Sequence, residues 1–284
     1  MPAPLIISHA SCQDGFAAAW LARRVWPSCE IRFHQYNKDP APVQSTPPGD
    51  HIIIVDFSYP REQLIALRQR IGRTGSLTVL DHHRTAEKHC AGLDFCQFDQ
   101  QRSGAMMMRD YLRELDLIAE DPAVWALIDY VQDRDLWHWK LPESRHVNAA
   151  LSSYPFDFSE WDALVARPEA ITFLMKEGAA IERYRRQQIA QLLKHPREVT
   201  FGEHVGMATC CPVANFISDV GGELAATPGA AFGATWFDDY ATGTRVWSLR
   251  ARPDDNPASI DVGQLAERMG GGGHQNAAGF RVPM

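Results

Sequence analysis

A chain of 284 residues is long enough for two domains of roughly 100–200 residues each. Apolar residues make up 45% and charged residues 22%, globular proportions that exclude a disordered, collagen-like or coiled-coil protein. The formal charge of −7 argues against long nucleic acid as a partner, since neutralising many phosphates calls for a basic surface; a nucleic-acid substrate would be short or met by a local patch.

Residues 4–7 form a short apolar run that ends at Ser8-His9. A polar loop over 10–15 and an alanine-rich helical stretch over 16–25 follow. The run HIIIV at 51–55 ends at Asp56 and precedes a helix over 62–71, and LTVL at 77–80 ends at Asp81-His82-His83. Short, continuous, β-branched runs alternating with helices predict a parallel sheet covered on both faces. Further helices are predicted over 103–117 and 122–131, so an α/β domain extends to about residue 140. Residues 141–170 carry several Pro and Ser with weaker periodicity, and 173–194 reads as a long charged helix connecting two domains. Beyond it, 198–210, 230–236 and 244–251 alternate like strands of a mixed sheet, with helices over 216–226 and 262–269. The expected organisation is therefore a domain over 1–170, a connecting helix over 171–195 and a smaller α+β domain over 196–284.

None of the six cysteines forms a C-x-x-C pair, so zinc-ribbon and thioredoxin-type motifs lack support. The N-terminus has no basic region followed by a long apolar stretch, and no run reaches the roughly 18 apolar residues of a membrane span. A cytoplasmic protein with free thiols and no membrane partner is expected.

In open α/β sheets, ligands bind at the carboxyl ends of the strands. Three strand ends here carry His9 with Asp14, Asp56, and Asp81-His82-His83. Taken singly, Asp56 could cap a helix, His9 could be a half-buried histidine, and the triplet could be polar loop. Together, their carboxylates would repel one another and raise one another's pKa values unless a divalent cation resolved the conflict. Mixed His/Asp ligation suits Mn²⁺, with Fe²⁺, Co²⁺, Zn²⁺ or Mg²⁺ as other candidates. A fourth cluster, Asp133-Arg134-Asp135, ends an apolar helix; Trp137 and Trp139 after it read as core or wall residues rather than base-stacking platforms. Near the C-terminus, Gly270–Gly273 precede a helix-forming His274-Gln-Asn-Ala-Ala, a glycine loop whose N–H groups could meet phosphate or carboxylate. Arg250 and Arg252 alternate at the end of a strand and would share one face, as a phosphate grip requires.

The ordered set of His9, Asp14-Gly15, Asp56, Asp81-His82-His83, Asp133 and the terminal GGGHQNAAG at 271–279 resembles the DHH phosphoesterase superfamily with its C-terminal DHH-associated domain. The match runs from residue 5 to 282. That superfamily includes RecJ-like exonucleases, oligoribonucleotide hydrolases, cyclic-dinucleotide phosphodiesterases, phosphoadenosine-phosphate phosphatases and exopolyphosphatases. The resemblance implies an α/β fold: an N-terminal parallel-sheet DHH domain and a smaller α+β domain, joined by a helical linker, with a cleft between. It implies two Mn²⁺ ions held by His9, Cys12, Asp14, Asp56, His82 and Asp133, with Asp135 as the fallback for Asp133. His83, Asp81 and Arg250 would be the catalytic residues, Asp81 and His83 supporting the metal or meeting phosphate and Arg250 and His83 offsetting charge on the phosphoryl oxygens. Arg250, Arg252, Gly271, Gly272, Gly273 and His274 would hold substrate. Cys12 stands where the superfamily has a carboxylate, and a thiol is a softer ligand that must first lose its proton, so either Cys12 ligates as thiolate, or the first metal site is weak, or that site prefers Zn²⁺ or Fe²⁺. The implied activity is hydrolysis of short nucleotides as a phosphodiesterase. An exopolyphosphatase or a phosphomonoesterase on small substrates is the alternative, and a non-catalytic nucleotide-binding protein the further one. A homodimer is compatible with each. A purely structural zinc protein is disfavoured because closed zinc sites use Cys and His.

Overall fold

A computed structural model describes residues 2–36, 38–251, 260–273 and 275–284. The chain divides into two compact units, Met1–Glu182 and Arg183–Met284.

The first unit opens with β1 (Leu5–His9), α1 (Gln13–Val25), β2 (Ile31–His34), β3 (His51–Val55), α2 (Arg61–Ile71), β4 (Ser76–Asp81), α3 (Arg84–Cys90) and β5 (Cys96–Phe98). The strands form one parallel sheet in the order β2-β1-β3-β4-β5. The helices α4 (Gly104–Glu114), α5 (Pro122–Asp135), α6 (Ser144–Leu151) and α7 (Phe158–Val165) follow, then α8 (Ala170–Leu192), within which the two units divide. The continuous apolar runs are explained by burial on both faces. Ile6, Ile53, Val55 and Leu80 pack into the layer of α1, α4 and α5, while Ile7, Ile52, Ile54 and Val79 pack into the layer of α2. Adjacent strand residues thus alternate between two cores, and neither set can be polar. In this strand order the winding reverses between β1 and β3, the point at which such sheets open a crevice at their carboxyl ends. His9 and Asp56 lie there.

The second unit contains β6 (Arg197–Phe201), β7 (His204–Cys210), α9 (Ile217–Ala225), β8 (Phe232–Asp239), β9 (Thr244–Ala251), α10 (Val262–Arg268), β10 (Gly272–Gly273) and β11 (Ala277–Pro283). Its mixed sheet runs β10-β11-β9-β8-β7-β6, with only β7 and β8 parallel. The helix expected after the glycines is not found: 277–283 is a strand in register with β9, Ala278 opposite Leu249 and Phe280 opposite Trp247. Ala278 and Phe280 bury their side chains in this unit's core, a period-2 pattern that no helix could satisfy. The glycines serve that pairing. A Cβ on Gly271 would stand 2.0 Å from the Gly279 carbonyl oxygen, and Gly273 has φ +146°. Helices α6 and α7 occupy the stretch that reads as irregular in sequence, and β2, α3 and β5 were too short to be read.

Within the first unit, α8 meets α6 backbone to backbone at Gly178, where a Cβ would lie 1.7 Å from the His146 carbonyl oxygen. Gly178→Ala is expected to lower stability by ~1–3 kcal/mol or more, although alanine is the better helix former. A thermal melt read by circular dichroism checks this; an unchanged or raised Tm would contradict the contact.

Candidate metal centre

Five segments bring the site together. His9 ends β1, Asp14 lies in the first turn of α1, and Asp56 follows β3. Asp81 ends β4 with His82 and His83 after it, and Asp135 ends α5. Asp56 has a left-handed backbone, φ +54°, fixed by its N–H donating to the Leu80 carbonyl at 3.0 Å. Such a conformation in a non-glycine residue is strained and clusters at functional sites. Two glycines let the segments close. A Cβ on Gly15 would sit 2.5 Å from the His9 carbonyl and 3.1 Å from Asp56 Oδ2. One on Gly104 would sit 2.5 Å from Asp56 Cβ and 3.0 Å from Asp14 Oδ2. Gly15 stood in the sequence motif; Gly104 went unread, because only the tertiary approach of α4 to Asp56 requires it.

Three overlapping groups of ligand atoms result, each within 4.8 Å of one another: His9, Cys12 and Asp56; Asp14, His82 and Asp135; and Asp56, Asp81, His82 and His83. His82 Nε2 lies 3.1 Å from Asp56 Oδ1 and 3.6 Å from Asp135 Oδ2. His9 Nδ1 faces Asp56 Oδ2 at 3.5 Å, yet both atoms are buried and without a hydrogen-bond partner. Buried unpartnered polar atoms are costly, and a nitrogen and a carboxylate oxygen facing each other are what a shared cation would satisfy. The donor set, oxygen and imidazole with one thiol, fits a divalent ion.

The electrostatics show the same strain. Burial, with repulsion from Asp135 and Asp56, pushes the Asp14 carboxyl well above its ordinary value. This is so even though its oxygens accept from Gly104 N at 2.6 Å and Ala105 N at 3.1 Å, at the favourable N-terminus of α4. Burial would raise Asp56 too, but the His82 hydrogen bond and the facing His9 hold it well below the carboxylate range. Burial would lower His82; instead Asp56, Asp135 and Asp14 lift it to about 10. The Cys12 thiol is pushed up by burial and by Asp56, Asp135 and Asp14, so thiolate ligation would have to displace a firmly held proton.

Asp81 has a different part. Its Oδ1 accepts from His82 N at 2.8 Å, His83 N at 3.2 Å and His83 Nδ1 at 2.7 Å, and Oδ2 accepts from Ser58 Oγ at 2.9 Å. It folds the triplet and fixes the His83 ring, as a carboxylate behind a ligand does.

Other expected residues lie elsewhere. Asp133 does not join the cluster; its buried oxygens accept from Lys140 N at 2.9 Å and Leu141 N at 3.3 Å, and Asp135 takes the position beside His82. Arg250, in the second unit, donates to Ser218 Oγ at 2.7 Å and the Leu249 carbonyl at 2.8 Å, and burial lowers its pKa to about 10. Gly271, Gly272 and Gly273 sit at the β10–β11 pairing. Arg252 and His274 lie outside the described residues. Trp137, expected in a core or wall, is 42% exposed.

A solved DHH domain, from a protein described as a member of a family of ribosomal proteins, aligns with 97% of this chain, covering 82% of its own, at a TM-score of 0.56 and 12% identity. This chain has the DHH fold. Oligoribonuclease NrnB of Bacillus subtilis is 25% identical over 295 residues, 95% of this chain and 70% of its own length. The uncharacterized protein R106 of Acanthamoeba polyphaga mimivirus is 23% identical over 297 residues, 97% of this chain. The chain spans 66% of that protein's length. No family model matches the chain. Among the described residues, no helix is long and apolar enough to cross a membrane.

The two aspartates of α5 are separable by experiment. Asp135→Asn is expected to weaken binding of a divalent ion in calorimetry by roughly 10-fold or more, with Tm of the metal-free protein kept. Asp133→Asn, which replaces a buried acceptor of two backbone N–H groups, should cost ~1–3 kcal/mol of stability. The reverse pattern would return Asp133 to the centre.

Proposed function

We propose that this DHH protein is a metal-dependent phosphodiesterase acting on short nucleotides, of the dinucleotide or short-oligoribonucleotide class. The observation that carries the reading is the orphaned pair of His9 Nδ1 and Asp56 Oδ2, set within a cluster of carboxylates and imidazoles at the β1/β3 reversal. NrnB, similar along nearly all of this chain, is named an oligoribonuclease, which favours the substrate class. The charge of −7 favours a short substrate over a long one.

Manganese is the ion we assign to the centre, held by Asp14, Asp56, His82 and Asp135, with His9 and Cys12 completing a weaker second position. Such an ion supplies a water of lowered pKa and withdraws charge from a phosphoryl oxygen. The chain's own residues do the rest. Asp56 places one oxygen toward His82 and the other toward His9. Gly104 N and Ala105 N hold Asp14 in one orientation. Asp81 accepts from His83 Nδ1, which fixes the tautomer and leaves Nε2 as the ring atom to meet a phosphate oxygen. In the second unit, Arg250 and the glycines of β10 remain our candidates for holding the rest of the substrate.

The test is hydrolysis of linear dinucleotides, short oligoribonucleotides, cyclic dinucleotides, phosphoadenosine phosphate and polyphosphate by chelator-treated protein, with and without added Mn²⁺. Metal-dependent cleavage of the dinucleotides is expected. Asp56→Asn should lose roughly 10³-fold in kcat/KM while its circular dichroism spectrum is kept. Cleavage that persists in chelator, or in Asp56→Asn, would overturn the assignment; faster turnover of polyphosphate would replace the substrate class.

A further inference from the structure

We infer that Trp137 is a stacking platform for a nucleobase of the substrate, an inference that rests on the phosphodiesterase reading and narrows it to base-bearing substrates. The observations converge on one loop, residues 136–143, directly after the metal-cluster residue Asp135. Trp137 is 42% exposed although it is among the largest apolar side chains in the chain. Its backbone is left-handed, φ +59°, and so is that of Trp139, φ +53°. For bulky residues that conformation is a genuine outlier, and glycine would adopt it freely. The loop nonetheless holds them firmly. Trp137 N–H donates to the Arg134 carbonyl at 2.9 Å, and His138 N–H to the Asp133 carbonyl at 2.8 Å. The Asp133 carboxylate receives Lys140 N and Leu141 N. The Trp137 ring stands edge-on to Trp139 with centroids 5.0 Å apart, and the Arg145 guanidinium covers Trp139 at 4.2 Å. Trp139 Nε1 is left buried without a partner.

The two left-handed backbones, the exposed indole and the unpartnered Trp139 Nε1 each cost stability, and the surrounding contacts offset them. A tight turn after a helix needs no tryptophan, yet here one is strained into place, backed by a second aromatic and an arginine, and left open to water. Costs concentrated in one loop that a simpler residue would remove are the mark of a functional constraint. The place decides which function. Asp135 and Trp137 are two residues apart, so their Cα atoms lie within about 7 Å. A base hangs one sugar away from the phosphate it accompanies, and an indole face accepts any base. Polyphosphate has no group that would use it.

Two measurements test the platform, made on the full chain as wild type, Trp137→Ala, Trp137→Phe and Trp137→Gly. The first is steady-state hydrolysis with Mn²⁺ of a linear dinucleotide and of the same dinucleotide with abasic sugars. Trp137→Ala and Trp137→Gly should raise KM for the dinucleotide about 10-fold or more, the loss of one stacked base. They should shrink its preference over the abasic form by the same factor. Trp137→Phe should recover most of the loss, and Trp137→Gly should melt no lower than wild type. The second measurement is a fluorescence titration with guanosine monophosphate in the absence of metal, expected to show binding by wild type that Trp137→Ala weakens. Equal KM values in wild type and Trp137→Ala, or wild type that binds no guanosine monophosphate, would overturn the platform. A chain that hydrolyses neither dinucleotide yet binds guanosine monophosphate through Trp137 would sink the phosphodiesterase reading and leave the platform standing.

Discussion

The Asp56 carboxylate is the constraint around which the first unit is organised. It is buried and charged, with one oxygen on His82 and the other facing His9 without a hydrogen bond. A buried charge is tolerated only where the surroundings repay the loss of water. Here His82 repays part of it and is itself drawn toward the protonated state by Asp56, Asp135 and Asp14. The remainder is left open, on atoms suited to a cation. The backbone reflects the same demand: Asp56 is turned into the left-handed region, and Gly15 and Gly104 are pressed against it where any side chain would collide.

Around that carboxylate the acidic residues divide their work. Asp14 faces inward while the N-terminus of α4 holds both its oxygens, so its position is set before any ion arrives. Asp81 orders the two histidines behind it and rests on Ser58. Asp133 closes the loop after α5, and Asp135 turns toward His82. Four carboxylates so arranged, two that present oxygens and two that orient or anchor, explain why the metal-free cluster is electrostatically frustrated and why the fold still carries it. The parallel sheet and its two apolar layers supply the stability the cluster withholds.

Much of this arrangement was legible beforehand. Strands buried on both faces must read as unbroken apolar runs, so 51–55 and 77–80 announced themselves, and the polar residues that end them marked the crevice. The choice between Asp133 and Asp135 was not legible. Two helical residues two positions apart differ by about 200° around the axis, so one must turn away, and sequence spacing does not say which. The glycine tail misled for a related reason: 277–283 is a strand only because β9 offers an edge in register, and that partner lies far off in the chain.

The sequence alone determined the layered α/β class, the candidate ligand types and their order along the chain, because these rest on local periodicity and on chemistry that each residue carries with it. Only the tertiary structure decided which carboxylate joins the cluster, that α4 approaches closely enough to require Gly104, and that Trp137 is exposed. The first two are contacts between distant segments, Gly104 meeting Asp14 across 90 residues among them, and no local pattern encodes the distance at which two such segments meet.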